Sequence, residues 1–112
     1  MTEQAKVAIS RDGDAITVVG SGSLDLYSAD EFGAALKEAT GSAKSVVVDF
    51  TPAYYIDTAI LNCLVVAARQ LLPAKGRLKV LVAEGGHPQY VLKTVRFDTI
   101  MDLVVGDTRH DD

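Results

Sequence analysis

The chain has 112 residues, of which 48% are apolar and 23% charged, with a formal net charge of −4 and a single cysteine. A chain of this length predicts one domain, residues 1–112, that buries its core without a metal or a disulfide. The negative charge argues against a nucleic-acid-binding protein, which normally carries a basic surface. The N-terminus lacks the apolar segment of a signal peptide, and no apolar run is long enough to span a bilayer, so we expect a cytoplasmic protein.

The predicted elements begin with a β-hairpin. Asp12-Gly13 is a strong turn signal between two short strands, residues 7–10 and 15–19. A glycine-rich loop, residues 20–25, follows the second strand.

The first predicted helix has recognisable ends. Ser28 and Glu31 have the spacing of a capping box. Gly41 suits the left-handed conformation in which many helices end. Helical spacing places one set of residues in the core: Phe32, Ala35, Leu36 and Ala39.

Strands then alternate with helices. The valine run of residues 46–48 does not alternate with polar residues, which is typical of a strand covered on both faces. The elements after it are a helix from about Thr58 to Leu72, a strand at 78–83, a helix from Pro88 to about Arg96, a strand at 103–105 and a polar tail, Asp107 to Asp112. The helix that starts at Pro88 has Val91, Leu92 and Val95 on one face. This order predicts an α/β fold with a mixed sheet.

Thr58 lies where a strand-to-helix turn would present its hydroxyl at a helix N-terminus. Free backbone N–H groups and the helix dipole favour an anion there, so Thr58 is a candidate phosphoacceptor. Alternatively, Asp57 or Thr58 only caps the helix, which is the commoner role of these residue types. Tyr54 and Tyr55 precede the turn and either pack the loop or offer contact area to a partner.

The helix after Thr58 has more apolar residues than packing against one sheet requires. The residues sufficient to face a sheet are Ile60, Leu61, Leu64, Ala67, Ala68 and Leu71. The remainder lie with Asn62 on or beside the outer face: Ala59, Cys63, Val65 and Val66. An exposed apolar stripe is typical of a docking site, whereas a more deeply buried helix gives the same pattern.

No arrangement of side chains predicts a catalytic site, a metal site or a cofactor. Cys63 is in mid-helix and is best interpreted as a packing residue. His87 and His110 lack the spacing of metal ligands. The loop at residues 20–22 lacks the spacing of a nucleotide motif and a neighbouring basic residue, which makes small-ligand binding the least favoured function.

Three segments resemble the STAS domain, the fold of bacterial anti-sigma factor antagonists and of sulfate transporter tails. Gly22 to Asp25 resembles the family's Gly-x-Leu-Asp loop, and residues 46–50 with Ile56-Asp57-Thr58 resemble its strand and phosphorylation turn. Residues 88–98 resemble its closing helix. The resemblance covers about residues 5–106 and implies a single STAS-like α/β domain with an N-terminal hairpin and helices alternating with parallel strands.

In that family, a kinase that is also an anti-sigma factor phosphorylates the hydroxyl residue after the turn's aspartate. The resemblance implies that Thr58 is the phosphoacceptor and Asp57 its acidic neighbour. The chain departs from the common Asp-Ser-Ser-Gly-Leu form, with Ala59 for the second serine and Ile60 for the glycine. Asp-Thr-x-Ile is closer to stressosome STAS proteins, and Asp-Thr also occurs in the small STAS subunit of a bacterial lipid-transport ATPase complex.

The resemblance implies a non-enzymatic interaction module that binds a GHKL-type serine/threonine kinase acting as anti-sigma factor. A phosphate on Thr58 would repel acidic partner groups or a bound nucleotide's phosphates and release the complex. The partner-binding residues that it implies are Asp25, Asp57, Ala59, Asn62, Cys63 and Val66. The alternative is a structural STAS subunit of a stressosome or of a lipid or anion transport complex, contacting other STAS proteins or a second copy of itself. We expect no nucleic-acid partner and no insertion into a membrane.

Overall fold

In the part of the chain that the structure describes, residues 4–43 and 45–106, six strands form a mixed sheet and three helices pack on it. The structure is a computed structural model. The elements are, in chain order, β1 (Lys6–Asp12), β2 (Ala15–Leu24), α1 (Ala29–Ser42), β3 (Ser45–Asp49), β4 (Ala53–Ile56), α2 (Thr58–Leu71), β5 (Arg77–Ala83), α3 (His87–Thr94) and β6 (Asp102–Gly106). The predicted polar tail, Asp107 to Asp112, lies outside the described residues.

The sheet has the strand order β1-β2-β3-β5-β6, and β4 pairs with β2. Strands β1 and β2 are the predicted antiparallel hairpin, in which Asp12 pairs with Ala15 around a two-residue turn at Gly13. All the other pairings are parallel. The predicted mixed sheet with an N-terminal hairpin is confirmed.

The core lies on one face of the sheet. Along β2, buried residues alternate with half-buried ones, and in β3 Val46 and Val48 are buried whereas Val47 is half-buried. All three helices bury their apolar residues in one cluster with the buried face of the strands. The prediction that β3 is covered on both faces is therefore wrong. Valine at position 47 continues the apolar run on a face that no described helix covers.

The core faces of the first two helices follow the predicted spacing. In α1 the buried residues are the predicted Phe32, Ala35, Leu36 and Ala39. Phe32 stacks on Phe50, which follows β3, with 5.6 Å between ring centroids. In α2 the buried residues are Ile60, Leu64, Ala67, Ala68 and Leu71. Leu61 is only half-buried, because it lies at the margin of the buried stripe.

The ends of the helices differ from the predictions. The side chain of Ser28 makes no capping hydrogen bond to α1, because its Oγ donates instead to Asp25. Helix α1 runs through Gly41, which is not left-handed, and ends at Ser42. Helix α3 ends at Thr94, so Val95 lies past the helix and is exposed. These boundaries depend on hydrogen bonds that residue type alone does not determine.

Strand β4 was missed by the sequence analysis. It has four residues and follows Pro52. Its burial pattern, with Ala53 and Ile56 buried around the exposed Tyr54 and Tyr55, lacks the alternation that predicts a strand. Pairing with β2 is parallel and joins Leu24 to Ile56. Strand β4 therefore brings the following turn to the carboxyl end of β2.

No helix in the described part of the chain is both long enough and apolar enough to cross a bilayer.

Gly22 lies where three segments of backbone meet. Its φ of +77° is left-handed, and an added Cβ would overlap the carbonyl oxygen of Gln4. Its N–H donates to the carbonyl of Pro52, just before β4, at 3.1 Å. Gly22 thus joins the N-terminal segment, β2 and the start of β4 in a space that has no room for a side chain.

We predict that Gly22→Ala lowers the free energy of unfolding by about 3 kcal/mol, through left-handed strain plus displacement of the Gln4 backbone. Gly13→Ala is the matched control, since Gly13 is also left-handed but has open space around it. The control should lose about 1 kcal/mol. Urea unfolding monitored by circular dichroism measures both, and equal losses would contradict this explanation.

Candidate functional site

The turn that begins α2 lies at the carboxyl ends of the parallel strands. Asp25 follows β2, Asp57 follows β4 and Glu84 follows β5, so three acidic residues lie at the same end of the sheet. The N–H of Asp57 donates to the carbonyl of Leu24 at 3.0 Å, which ties this turn to the end of β2. Helices start at this end, and α1 brings two further acidic residues there in its first turn.

Asp57 is the capping residue of α2. Its backbone is extended, and its carboxylate accepts the N–H of Thr58 at 2.5 Å. Its carbonyl accepts the N–H groups of Ile60 at 2.9 Å and Leu61 at 3.2 Å. The hydroxyl of Thr58 makes no hydrogen bond to any described residue, and Thr58 is exposed. Capping therefore falls to Asp57, and the Thr58 hydroxyl is accessible to solvent.

Asp25 organises the loop beside this turn. Its carboxylate accepts the N–H groups of Tyr27 at 3.0 Å and Ser28 at 3.2 Å, and the hydroxyl of Ser28 at 3.2 Å. The resulting 3₁₀ turn contacts α2 and contains Tyr27, which is 91% exposed. We call Asp25, Tyr27, Asp57 and Thr58 the carboxyl-end face. Aromatic residues are enriched in protein–protein interfaces, so the exposed ring of Tyr27 makes this face a candidate surface for binding another protein.

A shallow groove runs between α1 and α2. It has a volume of about 320 Å³ and is lined by Gly33, Leu36, Lys37, Asn62, Cys63, Val66, Ala67 and Gln70. Val66 is 52% exposed, and Ala59 and Cys63 are half-buried. The sequence left two interpretations of the outer apolar residues of α2, an exposed stripe or a more deeply buried helix. Val66 fits the exposed stripe. We call these lining residues the α1–α2 groove.

Cys63 packs between the two helices. Its Sγ lies 3.7 Å from the carbonyl oxygen of Ala29, and a Cβ on Gly33 would lie 3.2 Å from it. Burial, and then the negative charge of Asp30, raise the pKa of the Cys63 thiol above its usual value. A raised pKa means less thiolate at neutral pH, which suits a packing residue rather than a nucleophile.

The predicted phosphorylation site and partner-binding residues thus fall into two adjoining groups. Asp25, Asp57 and Thr58 lie on the carboxyl-end face. Asn62 is exposed one turn along α2 from Thr58, and Val66 is exposed one turn further. Cys63 belongs to the groove side of the helix, and Ala59 is half-buried beside the cap.

The sequence analysis missed the role of His87. Its Nδ1 accepts the N–H of Ile56 at 3.2 Å, and its ring stacks on Tyr55 with 4.7 Å between centroids. The two hydrogen-bonded residues are 31 positions apart, so no local pattern indicates the contact. Neither around His87 nor elsewhere in the described residues is a group of three histidine, cysteine, aspartate or glutamate side chains placed to hold a metal ion.

A match to a family profile identifies the family of this chain. The profile described as Mlab, STAS domain, matches residues 7–105. The chain belongs to the STAS domain family. The predicted STAS-like α/β fold is thereby confirmed. A search of curated protein sequences gave no match.

Solved structures share this fold. An anti-sigma factor antagonist from Mycobacterium paratuberculosis matches the STAS domain with a TM-score of 0.81 and 16% identity, over 90% of this chain and 86% of that one. The antagonist SpoIIAA in its unphosphorylated form gives 0.70 and 16%, over 93% and 90%. The phosphorylated form of SpoIIAA, a Bacillus cell fate determinant, gives 0.71 and 14%, over 92% and 93%. Because the sequence identities are only 14–16%, these matches show a shared fold and nothing beyond it.

We predict that capping and the Thr58 hydroxyl are separable in this STAS domain. Asp57→Ala should lower the free energy of unfolding by about 1 kcal/mol, because the N-cap acceptor is lost, and Asp57→Asn should retain most of it. Thr58→Ala should stay within about 0.5 kcal/mol of wild type. Urea unfolding measures all three. A larger loss for Thr58→Ala than for Asp57→Ala would show that Thr58 is the cap.

Proposed function

We propose that this STAS domain is a non-enzymatic, cytoplasmic anti-sigma factor antagonist-like module that binds a GHKL-type serine/threonine kinase acting as anti-sigma factor. Phosphorylation of Thr58 controls this binding. The observation that carries the proposal is that Thr58 is exposed at the N-terminus of α2 and its hydroxyl makes no hydrogen bond to a described residue, while Asp57 caps the helix.

A phosphate on Thr58 is compatible with the fold. It would add about −1.5 to −2 charges at the end of the helix where the dipole and free N–H groups favour an anion, so the helix would not melt. SpoIIAA has been solved in both phosphorylated and unphosphorylated forms, and the chain matches them with TM-scores of 0.71 and 0.70. Both facts support a switch that changes the surface rather than the fold.

The surface around Thr58 supports binding in the unphosphorylated state. The carboxyl-end face combines the exposed ring of Tyr27 with the carboxylates of Asp25 and Asp57, and Thr58 is its neutral member, the first residue of α2. The partner's contacts would continue along α2 through Ala59, Asn62, Cys63 and Val66. A phosphate would crowd this contact and repel acidic groups or nucleotide phosphates of the partner, which releases the complex.

The test begins with the kinase. Incubation of the purified domain with ATP and an extract of its native cells should add one phosphate to Thr58, detected by intact mass and by phosphopeptide sequencing. The kinase purified through this activity then serves as the binding probe. Phosphorylation confined to other residues, or none under any growth condition, would contradict the proposal.

With that kinase, Thr58→Glu should weaken binding at least about tenfold by calorimetry, because it mimics part of the phosphate charge. Thr58→Ala should bind like the unphosphorylated wild type and stay bound in the presence of ATP. The control is Ser45→Glu, a change of the same charge at an exposed position that starts β3 at the opposite end of the sheet. Equal binding by all variants would exclude the switch.

A second function is favoured by the exposed side chain of Val66 in the α1–α2 groove. We propose, as the alternative, a structural subunit of a stressosome or of a lipid or anion transport complex, in which the groove contacts another STAS protein or a second copy of this chain. Val66 is part of a groove whose surface is mainly apolar, and such a surface suits a permanent interface.

In that case Val66→Lys should abolish assembly while leaving the thermal unfolding midpoint within a few degrees of wild type, since Val66 is not part of the core. Ala34→Lys is the matched control, as Ala34 is an exposed residue of α1 that does not line the groove. Size-exclusion chromatography with light scattering measures the assembly state. A wild-type monomer that remains a monomer in native extracts would exclude this alternative.

A further inference from the structure

The N–H of Ile56 requires an acceptor that the sheet does not supply. Strand β4 pairs with β2, and the neighbouring N–H of Asp57 points to β2 and donates to Leu24. Successive N–H groups of a strand point in opposite directions, so the N–H of Ile56 points away from β2. Ile56 is only 2% exposed, and a buried N–H without an acceptor is strongly disfavoured.

His87 supplies this acceptor from the first turn of α3. Its Nδ1 lies 3.2 Å from the Ile56 nitrogen, and the accepting nitrogen must be without a proton, which places the ring proton on Nε2. The ring is also held against Tyr55, at an interplanar angle of 27°. The side chain of Gln89 accepts the N–H of Gly85 at 2.6 Å and so braces the loop that presents His87.

Strand β4 depends on this contact because it is short. Its pairing with β2 involves three residue pairs and is interrupted by a register shift between Gly22 and Ser23. Strand β4 and α3 are in contact, and the His87 hydrogen bond joins them at the last residue of the strand. Asp57 and Thr58 follow that residue directly. Whatever fixes Ile56 therefore fixes the start of α2.

We propose that His87 is a positioning residue for Thr58. Its imidazole acts as a hydrogen-bond acceptor that fastens β4 to α3 and thereby holds the Asp57–Thr58 turn in place. That His87 holds the Asp57–Thr58 turn depends on the fold alone, whereas an effect on phosphorylation of Thr58 rests on the proposed function. Two independent measurements test the two statements separately.

Three variants separate the acceptor from the aromatic ring. His87→Asn keeps an acceptor oxygen near the position of Nδ1 but has no ring to stack. His87→Phe keeps the stacking ring but has no acceptor, and His87→Ala has neither. If the acceptor positions the turn, amide hydrogen exchange at Ile56 and Thr58 should be about two- to tenfold faster in His87→Phe and His87→Ala, the effect of losing one hydrogen bond. His87→Asn should restore the wild-type rate.

Exchange at Val48, which is buried in β3 and lies outside the contact between β4 and α3, reports global unfolding in each variant. An unchanged Val48 rate beside a faster Ile56 rate supports the proposal. Wild-type rates in His87→Phe, or fast exchange in His87→Asn, would overturn it. So would a nitrogen-15 spectrum of the wild-type protein that shows the proton on Nδ1 at neutral pH.

The second readout is the rate at which native-cell extract phosphorylates Thr58. We expect about a two- to tenfold slower rate in His87→Phe and recovery in His87→Asn, in parallel with the exchange data. Absence of phosphorylation in the wild type would reject the proposed function, while the exchange rates would still decide whether His87 positions the turn. Faster exchange in His87→Phe without a change in rate would overturn the link to Thr58.

Discussion

The pairing of β4 with the carboxyl end of β2 determines where Thr58 lies. The hydrogen bond from Asp57 N–H to the carbonyl of Leu24 continues this pairing into the turn, and α2 begins at the next residue. The Asp25 loop leaves β2 at the same place. One short parallel ladder therefore brings together two segments that are more than 30 residues apart in the sequence, and the carboxyl-end face exists because of it.

Capping and modification are separate tasks at this helix N-terminus. A residue that caps a helix uses its side-chain oxygen to accept a backbone N–H, so it cannot offer that oxygen freely to another molecule. Here Asp57 takes the capping role through its carboxylate, and its carbonyl accepts the first intrahelical bonds. Thr58 is left with an exposed hydroxyl in the field of the helix dipole. This division of roles makes a phosphorylation switch chemically reasonable without loss of the helix.

The two neighbouring surfaces have different physical character. The carboxyl-end face is acidic and includes an exposed aromatic ring, which favours steering and reversible binding. The α1–α2 groove is mainly apolar and suits a more permanent contact. Because Asn62 and Val66 follow Thr58 at one-turn intervals along α2, a partner that docks on the carboxyl-end face would extend into the groove. The two candidate functions therefore share one helix.

The sequence by itself determined the hairpin, the core faces of α1 and α2, and the helix start at Thr58, since these follow from turn residues and from periodic spacing within a few residues. It also predicted Asp25 and Asp57 beside Thr58, through their resemblance to the STAS motifs. Only the tertiary structure decided that β4 is a strand, that no described helix covers one face of β3, and that His87 reaches Ile56. These features arise from contacts between segments distant in sequence, and local residue patterns carry no information about such contacts.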